Sequence, residues 1–182
     1  SNDYTKLGTT HHCFEDINIL SNYDDINLFV PANEKEFQYL FKKNYNNNSI
    51  NYFRLSEKKF YLGIKSNGFL RNDKKKKLLI IVGNSFDKKD IKRDDFDIYY
   101  INKITKKMNF KFLNRYNKIL IVESYFGNVL ERRIKKTFKK KIFLSTVSYE
   151  DTIVHKYGNK SEQDKYLKFD KNNIIKRINN FL

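Results

Sequence analysis

Two adjacent histidines, the only cysteine and an acidic pair lie close together near the start of the chain. They occur in the segment GTTHHCFED, residues 8–16. Imidazole, thiolate and carboxylate groups ligate metals, transfer protons and act as nucleophiles. The segment is therefore the first candidate for a functional site. Two kinds of chemistry can be compared with the spacing of its residues: metal binding and nucleophilic catalysis.

The spacing favours neither kind of chemistry. Neighbouring residues of a strand or loop point apart, so His11 and His12 are not expected to chelate one metal ion, and His155 is too isolated to complete a zinc site. Cys13 lies next to a histidine in sequence, which is poor geometry for proton transfer to that histidine. Its apolar neighbour Phe14 predicts a buried, inert thiol. We therefore expect no metal site and no catalytic cysteine.

The composition is that of a globular chain. Its 182 residues are 40% apolar, and sixteen phenylalanines and thirteen tyrosines supply surface for a core. No apolar run approaches the roughly 20 residues that cross a bilayer, and the N-terminus does not have the form of a secretory signal. A single cysteine cannot form an internal disulfide, which agrees with a reducing compartment. The sequence predicts a cytoplasmic protein.

The net charge of +16 raises the question of an anionic partner. The lysines cluster at 74–77, 88–89, 106–107 and 139–141, mostly just before apolar runs. A solvated basic surface is the ordinary interpretation of such clusters. Aromatic residues fall at core spacings and are not interleaved with the basic ones, so a nucleic-acid interface is not expected.

The first sixty residues predict alternating helices and strands. A short helix is predicted within 15–22, and a strand ends at Pro31, the only proline. Residues 32–45 carry apolar side chains at helical spacing and acidic residues in the first turn, which is typical of an amphipathic helix. A second strand is predicted at 50–55.

The second half of the chain contains four continuous runs of aliphatic and β-branched residues. They occupy 77–84, 96–104, 118–125 and 141–148. Such runs predict strands buried on both faces, as in parallel sheets that helices cover. Helices are predicted at 110–116, 127–138 and 172–182, whereas 84–95 has little room for one. The predicted fold class is α/β, a three-layer sandwich with a mostly parallel sheet.

A polar stretch divides these two halves. Residues 56–76 contain two glycines and end in lysines, which is typical of a linker or a surface hairpin. We therefore predict three parts: an incomplete α/β domain at 1–60, a linker at 61–76 and the sandwich domain at 77–182.

The order of features from Gly8 to Glu36 resembles the end of the pyrimidine-binding domain of transketolase-like enzymes that use thiamine diphosphate. That family has a Gly-Pro-Thr-His turn, a Glu-Asp pair, a short helix and a strand that runs into Pro-Ala-(Asp/Asn)-x-x-Glu. The matching residues here are Gly8, Thr10, His11, Glu15, Asp16, Pro31, Ala32, Asn33 and Glu36. Thr9 replaces the proline of the turn, which costs some rigidity.

The resemblance continues beyond this segment and weakens after residue 56. The segments INYFRLS, KLLIIVGN and KILIVESY and the closing helix are similar to the family's arginine-bearing strand and to its C-terminal domain. Residues 1–60 are thus identified as the C-terminal part of a pyrimidine-binding domain, and 77–182 as a transketolase C-terminal-like domain. The segment after IIVGN lacks most of the family's usual long helix.

The resemblance implies thiamine diphosphate and Mg²⁺ as cofactors. In the family, the residues that activate the pyrimidine ring and hold the diphosphate and its metal lie upstream of the turn, and this chain starts only a few residues before it. We therefore expect an upstream domain or a partner subunit to complete the active site, in a homo-oligomer such as a dimer. The chain alone would be insufficient for activity. The initial Ser-Asn resembles an expression scar, which would make the chain a piece of a longer protein.

The resemblance also assigns roles to three residues. His11 would be the catalytic residue, facing the substrate channel and hydrogen-bonding a sugar hydroxyl or carbonyl oxygen. Arg54 would bind a substrate phosphate or carboxylate with its planar guanidinium, and His12 would support His11 in substrate binding.

The activity that these roles imply is transfer of a two-carbon ketol unit between sugar phosphates, and a basic surface would attract such substrates. Two alternatives remain open. One is the β-type subunit of a 2-oxoacid dehydrogenase, and the other is a non-catalytic fragment that dimerises or binds a polyanion.

Overall fold

The computed structural model describes residues 5–7, 11–138, 141–149 and 158–182. Five α-helices are described in these ranges: α1 Asp16–Leu20, α2 Glu34–Asn44, α3 Val129–Thr137, α4 Lys160–Tyr166 and α5 Lys171–Phe181. Short 3-10 turns occur at Thr5–Leu7, Lys88–Asp90 and Lys111–Arg115. Within the same ranges, no helix has the length and the apolar character needed to span a membrane.

Eight strands are described in this part of the chain. They are β1 Ile26–Phe29, β2 Ile50–Phe53, β3 Gly68–Arg71, β4 Lys77–Val82, β5 Asp97–Ile101, β6 Lys103–Ile104, β7 Lys118–Val122 and β8 Phe143–Val147. The predicted strand at 50–55 and the helices predicted at 32–45, 127–138 and 172–182 are confirmed, with shifts of a few residues at their ends.

The described strands form two sheets. The small sheet has the order β2-β1-β6, with β1 and β2 parallel and β6 antiparallel to β1. The large sheet has the order β3-β5-β4-β7-β8, in which β3 alone is antiparallel to its neighbour. The fold class predicted from the apolar runs, α/β with a mostly parallel sheet, is confirmed.

The large sheet is covered on both faces. Successive side chains of β4 alternate between two apolar clusters, because neighbouring residues of a strand point to opposite faces. Leu79 and Ile81 pack with α5, whereas Leu78 and Ile80 pack with α3 and with β1. These layers on either side of the sheet form the predicted sandwich. The segment between β4 and β5 holds only the 3-10 turn at Lys88–Asp90, as its length predicted.

One predicted strand serves both sheets. The run at 96–104 is interrupted at Asn102, so that β5 belongs to the large sheet and β6 to the small one. Asn102 donates its side-chain amide to Glu36 Oε2 at 3.0 Å and its backbone N–H to Asn67 Oδ1 at 2.8 Å. These hydrogen bonds replace strand-to-strand pairing at Asn102, where the chain passes from the large sheet to the small sheet. The small sheet therefore includes a strand from the predicted domain at 77–182.

The Pro-Ala-Asn-x-x-Glu segment joins α2 to this junction. Asn33 caps α2 by accepting from the backbone N–H of Glu36 at 3.0 Å. The buried Glu36 carboxylate accepts from Ala32 N at 3.1 Å and from the Tyr100 hydroxyl at 2.6 Å. Burial, followed by the Glu36 charge, raises the pKa of Tyr100 well above its usual value, which keeps the phenol protonated.

The predicted linker contains a strand that the sequence analysis did not anticipate. β3 pairs antiparallel with β5 and shifts register between Phe69 and Arg71. It is only four residues long and half-buried, so its apolar pattern is too short to stand out from the polar residues around it.

Candidate functional site

A buried ion pair lies at the centre of the candidate site. Arg54 directly follows β2, and Asp16 is the first residue of α1. The guanidinium Nε lies 3.1 Å from Asp16 Oδ1 and 2.9 Å from Oδ2, and the two residues are only 5% and 6% exposed. The Tyr52 hydroxyl also donates to Asp16 Oδ2, at 2.8 Å. Burial and the Asp16 charge raise the pKa of Tyr52, so the phenol stays neutral beside the carboxylate.

Arg54 connects three parts of the chain. Beyond its contact with Asp16, it donates Nη1 to the backbone carbonyl of Ser124 at 2.9 Å and Nη2 to that of Cys13 at 3.4 Å. Ser124 lies just past the end of β7, and Cys13 belongs to the histidine segment. Counting acceptors among the described residues only, three of the five guanidinium N–H groups are engaged and two remain.

A narrow cleft lies beside this pair, where the carboxyl ends of β4 and β7 meet. It is lined by Arg54, Ser56, Lys58, Asn84, Ser124, Tyr149, Lys160 and Phe169. In open α/β sheets, ligands bind in the crevice outside the carboxyl ends of the strands. Asp164 offsets part of the positive charge, because Lys58 Nζ lies 3.5 Å from its Oδ2 and Lys160 pairs with its Oδ1.

The histidine segment approaches this cleft through aromatic contacts. The ring of His12, half-buried, meets the edge of Phe14 with the ring centroids 5.4 Å apart. Phe14 stacks on Phe126 at 4.8 Å and touches Tyr149, which lines the cleft, at 5.3 Å. His11 is exposed. The structure thus brings the segment that carries both histidines next to Arg54 through Cys13 and Phe14.

Other residues of the sequence motif cannot be assessed in the same way. Gly8, Thr9 and Thr10 of the turn lie outside the described residues, as does His155. The roles of His11, His12 and Arg54 in substrate binding or catalysis stay predictions.

The prediction that Cys13 is a buried thiol is wrong. Cys13 is an exposed free cysteine, whereas Phe14 is buried. The two neighbours point in different directions, and the larger apolar side chain takes the inward position. Sequence reasoning assigned the burial of Phe14 to the residue beside it.

Glu123 is a buried acidic residue that the sequence analysis did not single out. It is 0% exposed, and burial raises its pKa to about 7. Hydrogen bonds partly offset that effect: Leu130, in the first turn of α3, donates its backbone N–H to Glu123 Oε2 at 3.4 Å. The signal in the sequence is a carboxylate that directly follows the apolar run of β7.

The described residues contain no group of three or more histidine, cysteine, aspartate or glutamate side chains that could hold a metal ion. The acidic groups near the cleft, Asp16 and Asp164, pair with Arg54, Lys58 and Lys160.

Solved structures that match the fold of this chain include transketolases. A structure described as a split-gene transketolase in an inactive β4 tetramer is 14% identical, covers 96% of this chain and 64% of its own, and superposes with a TM-score of 0.76. The chain has a transketolase fold. Transketolase from Leishmania mexicana is 9% identical, with 100% of this chain and 29% of its own covered at a TM-score of 0.76. Transketolase from Campylobacter jejuni is 14% identical, with 98% and 30% covered at 0.67.

These transketolase structures are longer than the chain. It spans between 29% and 64% of the length of the three compared here. No protein-family model matches the sequence, and no curated protein matches it significantly. At these identities the comparison establishes the fold alone.

Proposed function

We propose that the chain is the C-terminal portion of a transketolase-like enzyme that transfers a two-carbon ketol unit between sugar phosphates. The observation that carries the proposal is the transketolase fold, which extends over 96% to 100% of this chain in the structures compared. The order of sequence features from Gly8 to Glu36 supports the same conclusion independently. Thiamine diphosphate, bound with Mg²⁺ by polypeptide outside this chain, would supply the carbanion chemistry.

In this proposal His11 is the catalytic residue. Its exposed imidazole would hydrogen-bond a sugar hydroxyl or carbonyl oxygen of the substrate and stabilise the charge that develops there. The segment that carries it is anchored at Cys13 by the Arg54 guanidinium and at Phe14 by the rings of Phe126 and Tyr149. His12, whose ring contacts Phe14, would support the orientation of His11.

Arg54 has two roles in the proposal. Its bonds to Asp16 and to the Ser124 carbonyl hold the histidine segment against the end of β7. Its two remaining N–H donors would bind a phosphate oxygen of the substrate. The basic residues around the cleft, Lys58 and Lys160, would add to the attraction of a sugar phosphate.

The small sheet supports the need for further polypeptide. β2 is its outer strand, and Ile50, Leu55, Phe41 and Tyr45 beside that edge are 46% to 67% exposed. An apolar surface next to an open strand edge is typical of a contact with another domain or subunit. We propose that an upstream domain or a partner chain covers this edge and completes the active site, in a homo-oligomeric protein.

Steady-state kinetics on the complete protein test this function. Ketol transfer from a ketose phosphate to an aldose phosphate is measured for the natural protein, for His11→Ala and for Lys35→Ala, an exposed control on α2. We expect His11→Ala to lower kcat by about 100-fold, which is the usual contribution of a positioned general acid or base. Lys35→Ala should match the natural protein.

Two outcomes of that assay would count against the proposal. An unchanged rate for His11→Ala would remove His11 from the mechanism. A complete protein that shows no ketol transfer in the presence of thiamine diphosphate and Mg²⁺ would overturn the proposed function itself.

A further inference from the structure

A basic groove lies on the side of the molecule where α1 ends against α3. It is lined by the loop after α1, the segment after β6 and one face of α3, and its volume is about 550 Å³. A second depression of about 580 Å³ adjoins it and shares Phe110 and Thr137. We call the two together the α3 groove.

The charges of the α3 groove are almost all positive. Six cations line it: Lys106, Lys107, Lys111, Arg132, Arg133 and Lys136. The acidic residue among its lining side chains is Asp24, which pairs with Lys106. Within the described residues, the groove therefore carries an excess of five positive charges in a concave surface, where the field of each cation adds to the others.

Arg133 shows that this charge is not ordinary solvated surface. It is half-buried, donates Nη2 to the backbone carbonyl of Ser21 at 2.8 Å, and has no carboxylate partner at ion-pair distance among the described residues. Burial lowers its pKa, and the electrostatic interactions with Tyr125 and Asp24 only partly offset that effect. Elsewhere in the described chain, Arg54, Arg93 and Arg115 each contact an aspartate, whereas the half-buried Arg71 donates to backbone carbonyls as Arg133 does.

A partly desolvated cation without a counter-charge is costly, and a bound anion would relieve that cost. Arg132 and Arg133 are consecutive residues of α3, and Lys136 follows about one helical turn later. Guanidinium groups bind phosphate oxygens through two parallel hydrogen bonds, and a neighbouring ammonium adds a point charge. The residue types in the groove therefore match phosphate groups better than they match a neutral ligand.

We propose that the α3 groove binds a small molecule that carries two or more phosphate groups, at a site separate from the cleft beside Arg54. Each of its two depressions has the volume of a small-molecule site, which typically is about 300 to 1,000 Å³. Of the two aromatic residues that line the groove, Phe110 is only 6% exposed and Phe138 is half-buried, so the groove offers no fully exposed aromatic ring on which nucleic-acid bases could stack. This inference does not depend on the proposed ketol transfer.

Isothermal titration of the 182-residue chain with inorganic tripolyphosphate tests the site, at about 0.15 M salt so that diffuse surface attraction is screened. Arg133→Gln/Lys136→Gln removes two groove cations. Lys74→Gln/Lys76→Gln removes the same charge from an exposed lysine cluster elsewhere and serves as the matched control. We expect one site that the first variant weakens about tenfold and the control by less than about twofold.

A second variant keeps the test valid if loss of the Arg133 contact to Ser21 impairs folding. Arg132→Gln/Lys136→Gln changes two exposed side chains and should weaken binding about fivefold. Orthophosphate should bind the natural chain at least about tenfold more weakly than tripolyphosphate, because it engages fewer cations.

Three results would overturn the proposal. One is equal affinity for the natural chain and both groove variants. Another is an equal loss in the control variant, which would mean that binding follows net charge alone. The third is tighter binding of hexaglutamate or of a short single-stranded RNA than of tripolyphosphate, which would assign the groove to an acidic protein segment or to nucleic acid.

Discussion

The two sheets differ in how completely the chain itself covers them. In the large sheet, residues 78–82 of β4 and 119–122 of β7 are 0% exposed, with helices or other strands on both faces. In the small sheet, β2 pairs on one side only among the described strands, and Ile50 at its start is 62% exposed. The large sheet therefore holds most of the buried apolar surface, whereas the small sheet carries Arg54 and ends in a surface suited to another polypeptide.

This difference in coverage indicates different roles for the large sheet and the small sheet. A sheet that is covered on both faces can supply the stability of the chain, since buried apolar area is the main favourable term in folding. The small sheet positions Arg54, which pairs with Asp16 of α1, and its edge is the surface that we propose for assembly. Four changes test this division.

The largest effect is expected in the large sheet. Leu79→Ala removes a fully buried side chain from the layer between β4 and α5, so the free energy of unfolding should fall by about 4 kcal/mol. Urea denaturation measures it. Leu55→Ala, beside the small sheet and 51% exposed, is the control and should change stability by less than about 1 kcal/mol. Equal losses at the two positions would contradict the division.

The next effect concerns the ion pair between Arg54, which follows β2 of the small sheet, and Asp16 of α1. Asp16→Asn leaves the buried Arg54 without a counter-charge and should cost about 3 kcal/mol. The double variant Asp16→Leu/Arg54→Met removes both charges and should recover part of that loss, because two apolar groups then pack together. If Asp16→Asn unfolds at the same urea concentration as the natural chain, the pair does not hold these regions together.

A pH-dependent effect is expected at Glu123. Burial raises its pKa in the folded chain to about 7, above the unfolded value near 4.5, so the folded state binds its proton more tightly. This contribution is complete below about pH 4.5 and is lost as the pH rises towards 7, which lowers stability by roughly 2 to 3 kcal/mol across that window. Glu123→Gln should flatten this part of the profile of unfolding free energy against pH. A profile that keeps its slope would show that other groups cause it.

The smallest effect on stability is expected at the open edge. Ile50→Lys introduces a charge where the side chain is already 62% exposed, so the unfolding free energy of the chain should change by less than about 0.5 kcal/mol. Association should respond much more, because a charge in an apolar contact must be desolvated. Sedimentation of the complete protein, with Lys35→Ala as the control, would show dissociation for Ile50→Lys only. Unchanged association would leave the edge without its proposed role.

Local patterns in the sequence predicted most of the large sheet. The four continuous apolar runs became β4, β5, β7 and β8, because strands buried on both faces need apolar residues at every position. β3 was not predicted, because an edge strand of four half-buried residues has no continuous apolar run. The change of sheet at Asn102 was not visible either, since it depends on the side chains of Glu36 and Asn67, which are distant in sequence.

The candidate site was less predictable for the same reason. The motif identified His11 and Arg54, yet Arg54 contacts Asp16 at a sequence separation of 38 residues and Ser124 at a separation of 70. Pairings at such separations are set by the tertiary fold and leave no local periodicity. Burial of Cys13 was predicted wrongly because the direction of a side chain in an irregular segment cannot be inferred from an apolar neighbour.

The central claim is that this transketolase fold belongs to a ketol-transferring protein. The most direct measurement is a pair of assays on the complete protein with thiamine diphosphate and Mg²⁺: transfer of a two-carbon unit between sugar phosphates, and decarboxylation of 2-oxoacids. We predict saturable sugar transfer that depends on His11 and no oxoacid decarboxylation. Decarboxylation without sugar transfer would contradict the account and favour the β-type subunit of a 2-oxoacid dehydrogenase.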